Sequence, residues 1–189
     1  MMIAGNPFSN QPLRQFSEPI KFNNNIYPDN RGSFQVACKF NEYFDDLGGF
    51  DSTQLNISKS RERVFRGLHW QVHQPQAKYI FCIDGEIIDF VVDIRKDSPN
   101  FGVACNYFLD HSTSLFVPVG YAHGFLVLSH TATVGYLVDG IYNKDNERSL
   151  NIFDPKIGCT AHFSYNNLIM SEKDRNAPNL DQISEEDLF

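Results

Sequence analysis

The chain has 189 residues, with 16 Lys plus Arg against 23 Asp plus Glu and a net charge of −7. That length allows one domain with a sizeable core, and the negative balance works against non-specific attraction to nucleic acid or an anionic membrane. No apolar run approaches the ~20 residues that span a bilayer, no secretion signal is read at the start, and Cys38, Cys82, Cys105 and Cys159 stand apart from one another, so a cytoplasmic protein with reduced thiols is expected.

In chain order, β-branched and aromatic runs fall at Gln54–Ile57, Tyr79–Ile83, Glu86–Ile94, Tyr107–Leu109, Leu115–Pro118, Gly124–Ser129 and Val134–Val138, punctuated by Gly, Pro, Asn and Asp. The pattern predicts an all-β domain covering residues 1–189, with its core over about 26–175. Asp84-Gly85 is a two-residue link that predicts a hairpin between the second and third runs. The run Ile87 to Ile94 is nearly all apolar and so needs cover on both faces, one of them available from a subunit contact. Helix is expected only as one or two turns at Asn41–Leu47 and Ser171–Arg175. The polar or acidic ends, Met1–Gln11 and Asp181–Phe189, are expected to fray or to pack on a neighbour.

The spacing Pro118-x-Gly120-x-x-His123 resembles the second motif of the cupin superfamily, with Tyr79 to Ile94 as the hairpin of the first. The implied fold is a cupin-type double-stranded β-helix, a jelly-roll barrel with short peripheral helices. In metal-binding cupins the first motif offers two His and a Glu. Here Lys78 takes the Glu slot and Gln71 and His73 the His slots, which leaves at best His73 and His123 and predicts no metal site. What remains is a cationic, hydrogen-bonding pocket suited to stabilising an oxyanion.

Further motifs narrow the resemblance: Asp29-Asn30-Arg31-Gly32-Ser33-Phe34, Gln54-x-Asn56-x-Ser58-x-Ser60, Arg66-Gly67-Leu68-His69-Trp70-Gln71, Asp93 through Gly102, Ala122-His123-Gly124-Phe125, Asn146-Glu147-Arg148 and Ser171-Glu172-Lys173-Asp174 occur in that order. Together they resemble the dTDP-4-dehydrorhamnose 3,5-epimerase family. The resemblance implies a homodimer without metal or cofactor that binds a nucleotide diphosphate sugar and inverts centres beside its 4-keto group. Such chemistry needs a base, charge stabilisation at the ketone oxygen, and an acid on the opposite face of the ring.

His69 is the expected base, because a neutral imidazole titrates near the operating pH, and the resemblance makes Asp174 its partner. Lys78, Arg66 and His123 are expected around the ketone oxygen or neighbouring hydroxyls. Tyr142 is the expected acid, since a phenol of pKa about 10 can return a proton and be recharged from solvent, and Tyr136 matches a second family tyrosine lining the same pocket. Arg31 and the basic group Lys59, Arg61, Arg63 and Arg66 suit the diphosphate, with Gln54 and Asn56 reading the base. Family contacts cross the dimer, the Arg31 segment reaching into the partner's barrel.

Blander roles compete: a satisfied strand histidine at 69, a turn residue at 174, solvated edge charges at 66 and 78, a core histidine at 123, strand aromatics at 136 and 142, and polar loops elsewhere. The chain departs from the family pattern at Phe81 and Leu137, where cations are common, at Gly140-Ile141, and at Trp70. Losing two cations near the site leaves open whether one centre or both is inverted. A 3,4-ketoisomerase, a silent sugar-binding cupin and a metalloenzyme are the alternatives.

Overall fold

The computed structural model describes residues 18–38, 50, 52–159 and 167–189. Among them are twelve strands: β1 (Ile20–Asn23), β2 (Ile26–Asp29), β3 (Gly32–Gln35), β4 (Ser52–Arg61), β5 (Phe65–Gln71), β6 (Lys78–Asp84), β7 (Ile87–Asp93), β8 (Ala104–Leu109), β9 (Thr113–Val117), β10 (Tyr121–Val127), β11 (Thr131–Asp139) and β12 (Glu147–Ser149). Two antiparallel sheets of five, ordered β1-β9-β6-β11-β4 and β12-β5-β10-β7-β8, face each other as a jelly roll, and β2 and β3 form a separate hairpin.

The expected hairpin at Asp84-Gly85 does not form. The link turns the chain, with Gly85 at a φ of 85°, but it is a corner that carries it from one sheet to the other: β6 lies between β9 and β11, and β7 between β10 and β8. The corner is stitched to the neighbouring one between β10 and β11, where Glu86 N donates to Ser129 Oγ at 2.8 Å and Leu128 N to Glu86 O at 2.9 Å. A Cβ at Gly85 would sit 2.2 Å from Thr131 O, so the stacked corners leave no room for a side chain.

All seven residues of β7 are buried, and both covers come from the chain itself rather than from a subunit contact. Ile87 and Val91 pack between the sheets with Ile80, Cys82, Leu115, Phe125 and Val134. Ile88, Phe90 and Val92 face outward against Phe65, Leu68, Trp70, Leu150 and Ile152, with Leu188 and Phe189 over them. Burying those five β7 side chains is worth on the order of 10 kcal/mol before chain entropy is counted.

That packing corrects the expectation for residues 181–189, which neither fray nor wait for a neighbour. Phe189 N donates to Ile94 O and Lys96 N to Phe189 O, at 3.1 and 2.6 Å, while Trp70 Nε1 donates to Asp187 O at 2.8 Å. The helix expected near Ser171 runs over Glu172–Arg175, capped by Ser171 Oγ accepting from Asp174 N. The turns at Asn41–Leu47 and the segment Met1–Gln11 lie outside the described residues.

Candidate active site

The Arg66-Gly67-Leu68-His69 motif has a packing reason. A Cβ on Gly67 would lie 2.5 Å from Gly124 Cα, and one on Gly124 would lie 2.6 Å from Arg66 O, so two glycines let β5 and β10 touch where their register shifts between His123 and Phe125. That approach sets His69 directly opposite His123. Both side chains share the face carrying Tyr121 and Phe125, which belong to the cluster between the sheets.

Asp174 reaches His69 across 105 residues because the segment before it docks on β5. Phe65 N donates to Ile169 O and Ile169 N to Arg63 O, at 3.0 and 2.9 Å, and the capped helix then aims Asp174 inward, 4% exposed. His69 Nε2 meets Asp174 Oδ1 at 2.6 Å. Burial pushes the Asp174 carboxyl up, but hydrogen bonds from His69, Ser171 and the Gly67 amide outweigh it and leave the group below its ordinary value.

A second pair lies alongside, His123 Nε2 to Asp89 Oδ2 at 2.8 Å. Asp89 is wholly buried and its Oδ1 has no partner; desolvation raises its pKa despite the charges of His123 and Lys78. Lys78 enters from β6 on the facing sheet, on the same side as Ile80 and Cys82. Burial lowers its pKa, and the carboxylates of Asp89 and Glu147 oppose that. Tyr136, also on the facing sheet, packs into the cluster between the sheets. Its phenol is raised by burial, with Arg66 opposing and Glu147 adding.

Glu147, on edge strand β12, ties the mouth together. Its Oε1 is 3.9 Å from His69 Nδ1, its Oε2 accepts from Tyr142 Oη at 3.1 Å, and it pairs with Lys173 Nζ. Burial raises its pKa, and the hydrogen bond from Lys173, the charge of His69 and the Tyr142 hydroxyl pull it below the ordinary value. Tyr142 is 49% exposed, and its loop is held by Gln71, whose Nε2 donates to Ile141 O and whose Oε1 accepts from Asn143 N. Gln71, considered above as a vacated ligand slot, is thus a buried tether.

The structure therefore brings together His69, Asp174, Lys78, His123, Tyr136, Arg66 and Tyr142, the last two toward the rim. Arg66 Nε donates to Ser60 Oγ across the sheets at 3.0 Å. Asn56 lies opposite Tyr136 on β4, and Gln54 Nε2 donates to Asn56 Oδ1, so both reach the mouth. Arg31 does not join them within this chain: it sits at the tip of the β2–β3 hairpin, 85% exposed and paired with Asp29.

The expected basic group also splits. Lys59 and Arg61 alternate with inward Ser58 and Ser60 and so point outward, and Arg63 is exposed in the turn before β5, leaving Arg66 at the rim of the pocket. His73 is exposed, whereas His123 is buried.

Asp89 and Glu147 were missed. Asp89 is a carboxylate inside a run that is apolar but for it and Asp93, and Glu147 stands in the quoted Asn146-Glu147-Arg148 motif; both signals were legible. The departures at Phe81 and Leu137 do not strip the pocket of cations. Both residues lie on the outer face of the first sheet with Tyr79 and Phe116, and Phe81 lies over Gly135. Trp70 likewise faces outward, toward Asp187.

The family model for dTDP-4-dehydrorhamnose 3,5-epimerase matches residues 14–182. The chain belongs to that family. It is 37% identical over 166 residues to the dTDP-4-dehydrorhamnose 3,5-epimerase of Shigella flexneri, covering 86% of this chain and 91% of that one. Identity to the Salmonella typhimurium enzyme is 39% over 162 residues, covering 83% and 87%.

Among solved structures, the epimerase of Legionella pneumophila in complex with dTDP-4-keto-L-rhamnose superposes with a TM-score of 0.85 at 34% identity, covering 90% of this chain and 92% of that one. A 3′-monoepimerase from Streptomyces bikiniensis in complex with dTDP-quinovose gives 0.81 at 31%, covering 86% and 84%. This member of the family is an isomerase of the sugar-nucleotide epimerase type. Among the described residues no helix is long and apolar enough to cross a membrane.

Proposed function

We infer that the chain inverts one or both centres beside the ketone of a dTDP-linked 4-keto-6-deoxyhexose. The observation that carries the mechanism is the His69–Asp174 pair at 2.6 Å on one sheet, with Tyr136 and Lys78 on the sheet that faces it. His69 takes the proton at Nδ1, since Nε2 is committed to Asp174, and the buried carboxylate stabilises the imidazolium. Lys78 and His123 supply positive charge and an N–H at the developing enolate oxygen, where water is largely excluded.

Tyr136 is the better acid on geometry. A ring on the opposite sheet meets the opposite face of the sugar, and burial keeps its phenol protonated. Tyr142, the acid expected from the sequence, donates to Glu147 at the rim and suits the nucleotide end of the pocket. Arg66 suits the diphosphate, and Gln54 and Asn56 the base. We place Arg31 at the partner's mouth in a cytoplasmic homodimer. Its hairpin carries exposed Tyr27 and Phe34, and the outer face of the first sheet carries exposed Leu55, Ile57 and Ile83, apolar surface of the kind that a second copy covers.

The test is solvent deuterium wash-in at C3 and C5 of dTDP-4-keto-6-deoxyglucose, read by NMR, with wild type and His69→Asn. Exchange in the wild type and a loss of about 100-fold or more in the variant are expected for removal of a general base. Equal exchange in both proteins sinks the assignment of His69, and a carbonyl that has migrated along the ring identifies a 3,4-ketoisomerase instead.

A further inference from the structure

Three groups converge on Glu147, and one of them is the base. Oε1 faces His69 Nδ1 at 3.9 Å, the ring nitrogen that Asp174 leaves free, while Oε2 holds Tyr142 and Lys173. The His69 and Glu147 side chains are 26% and 20% exposed; those of Lys173 and Tyr142 open to solvent, at 46% for the Lys173 side chain and 49% for Tyr142. The carboxylate thus links the imidazole to two groups that open to solvent.

A base that hands nothing back must be emptied. If the acid on the far face supplies the replacement proton, His69 ends each abstraction as an imidazolium and is useless for a second centre or a second molecule until Nδ1 is unloaded. The sugar covers one approach to Nδ1. Asp174 touches the wrong nitrogen and is buried.

Resting on the mechanism above, we propose that Glu147 is the proton outlet of His69. The proton passes from Nδ1 to Oε1 through closure of the 3.9 Å gap, and from the carboxyl to bulk water. Imidazole and carboxylate are both restored. On the other face Tyr136 gives its proton to carbon and regains one from solvent, so each inversion releases one proton and consumes one. The charge of Lys173 suits this role, because it favours the carboxylate and so keeps the proton moving outward.

The experiment compares Glu147→Gln with wild type on dTDP-4-keto-6-deoxyglucose in deuterated buffer, in single-turnover and steady-state modes, with and without added formate as a proton carrier. The first abstraction is expected within about twofold of wild type, while steady-state kcat falls about tenfold or more with little change in KM, and formate restores kcat in proportion to its concentration. Lys173→Met, which keeps the carboxylate but frees it, is expected to show a smaller loss with the same formate response, and it carries the test if the Gln variant does not fold.

A raised KM at unchanged kcat makes Glu147 a contact for a sugar hydroxyl, and an equal loss in both modes without formate rescue makes it a mere prop for its neighbours. Either overturns the outlet. Absence of exchange in the wild type is a different failure, since it sinks the epimerase mechanism itself.

Discussion

Replacing Asp174 with Asn isolates the charge behind the base while keeping the shape of the contact. An amide oxygen can still accept from His69 Nε2, now held at 2.6 Å by the carboxylate, so the tautomer with Nδ1 free survives. What disappears is attraction to the imidazolium formed in the transition state. Two unit charges about 4 Å apart at an effective dielectric near 20 attract by about 4 kcal/mol. His69 is a quarter exposed, and the charge is only partly developed at the barrier, so about 2–3 kcal/mol survives as a difference between ground and transition states. At about 1.4 kcal/mol per decade this is a fall of roughly 30- to 150-fold in kcat.

KM should stay within about threefold, because Asp174 is buried behind the histidine and does not line the sugar's space. The assay is the initial rate of deuterium wash-in over a range of substrate concentrations, with circular dichroism to confirm folding. A variant within threefold of wild type, or one whose whole defect lies in KM, refutes the idea that this carboxylate acts electrostatically through His69.

Other outcomes follow from the same geometry. Asp89→Asn should lower kcat at least about tenfold, because the buried Lys78 and His123 lose the carboxylate that faces them; an unchanged kcat in a folded variant counts against this reading. Asp93 has a carboxyl below its ordinary value, because hydrogen bonds from Arg95 and Ser98 outweigh its burial. Its contribution is complete above the unfolded carboxylate value of about 4 and is lost as pH falls through the lower folded value. Asp93→Asn should therefore destabilise at pH 7 and flatten the acid limb of the stability curve, which denaturant titration from pH 2 to 7 reads out. Gly67→Ala should cost more than about 2 kcal/mol, since the new Cβ meets backbone at 2.5 Å; a melting temperature equal to wild type shows that β5 and β10 can separate freely.

Strand content was legible because side-chain type and spacing act locally, and β7, apolar but for Asp89 and Asp93, announced its own burial. Connectivity was not. Asp84-Gly85 has the composition of a tight hairpin turn, but turn chemistry says only that the chain bends there, and whether it bends within a sheet or between sheets depends on partners distant in sequence. The hydrogen bond from Glu86 N to Ser129 Oγ joins residues 43 apart, and nothing near position 85 encodes it. The tail misled for the same reason: the acidic Glu185-Glu186-Asp187 suggests solvent, whereas the fold uses Leu188 and Phe189 to close the outer face of the second sheet.

At the site, motifs located His69, Lys78, His123 and Asp174, yet sidedness along a strand decided the remainder. Phe81 lies three residues from Lys78, and Leu137 is adjacent to Tyr136, so in one dimension their apolar character looked like lost pocket charge. Alternation places them on the other face. The converse holds for Asp89, where alternation puts a carboxylate among Ile87 and Val91 in the space between the sheets. A strand whose apolar side chains all gain stability from burial carries a half-satisfied carboxylate there, facing His123 and the charge of Lys78. Such a conflict between what packs best and what is present is where a sequence marks a reaction. The two positions that local pattern alone would replace, Asp89 by an aliphatic residue and Glu147 by a β-former, are accordingly the two whose removal should cost turnover.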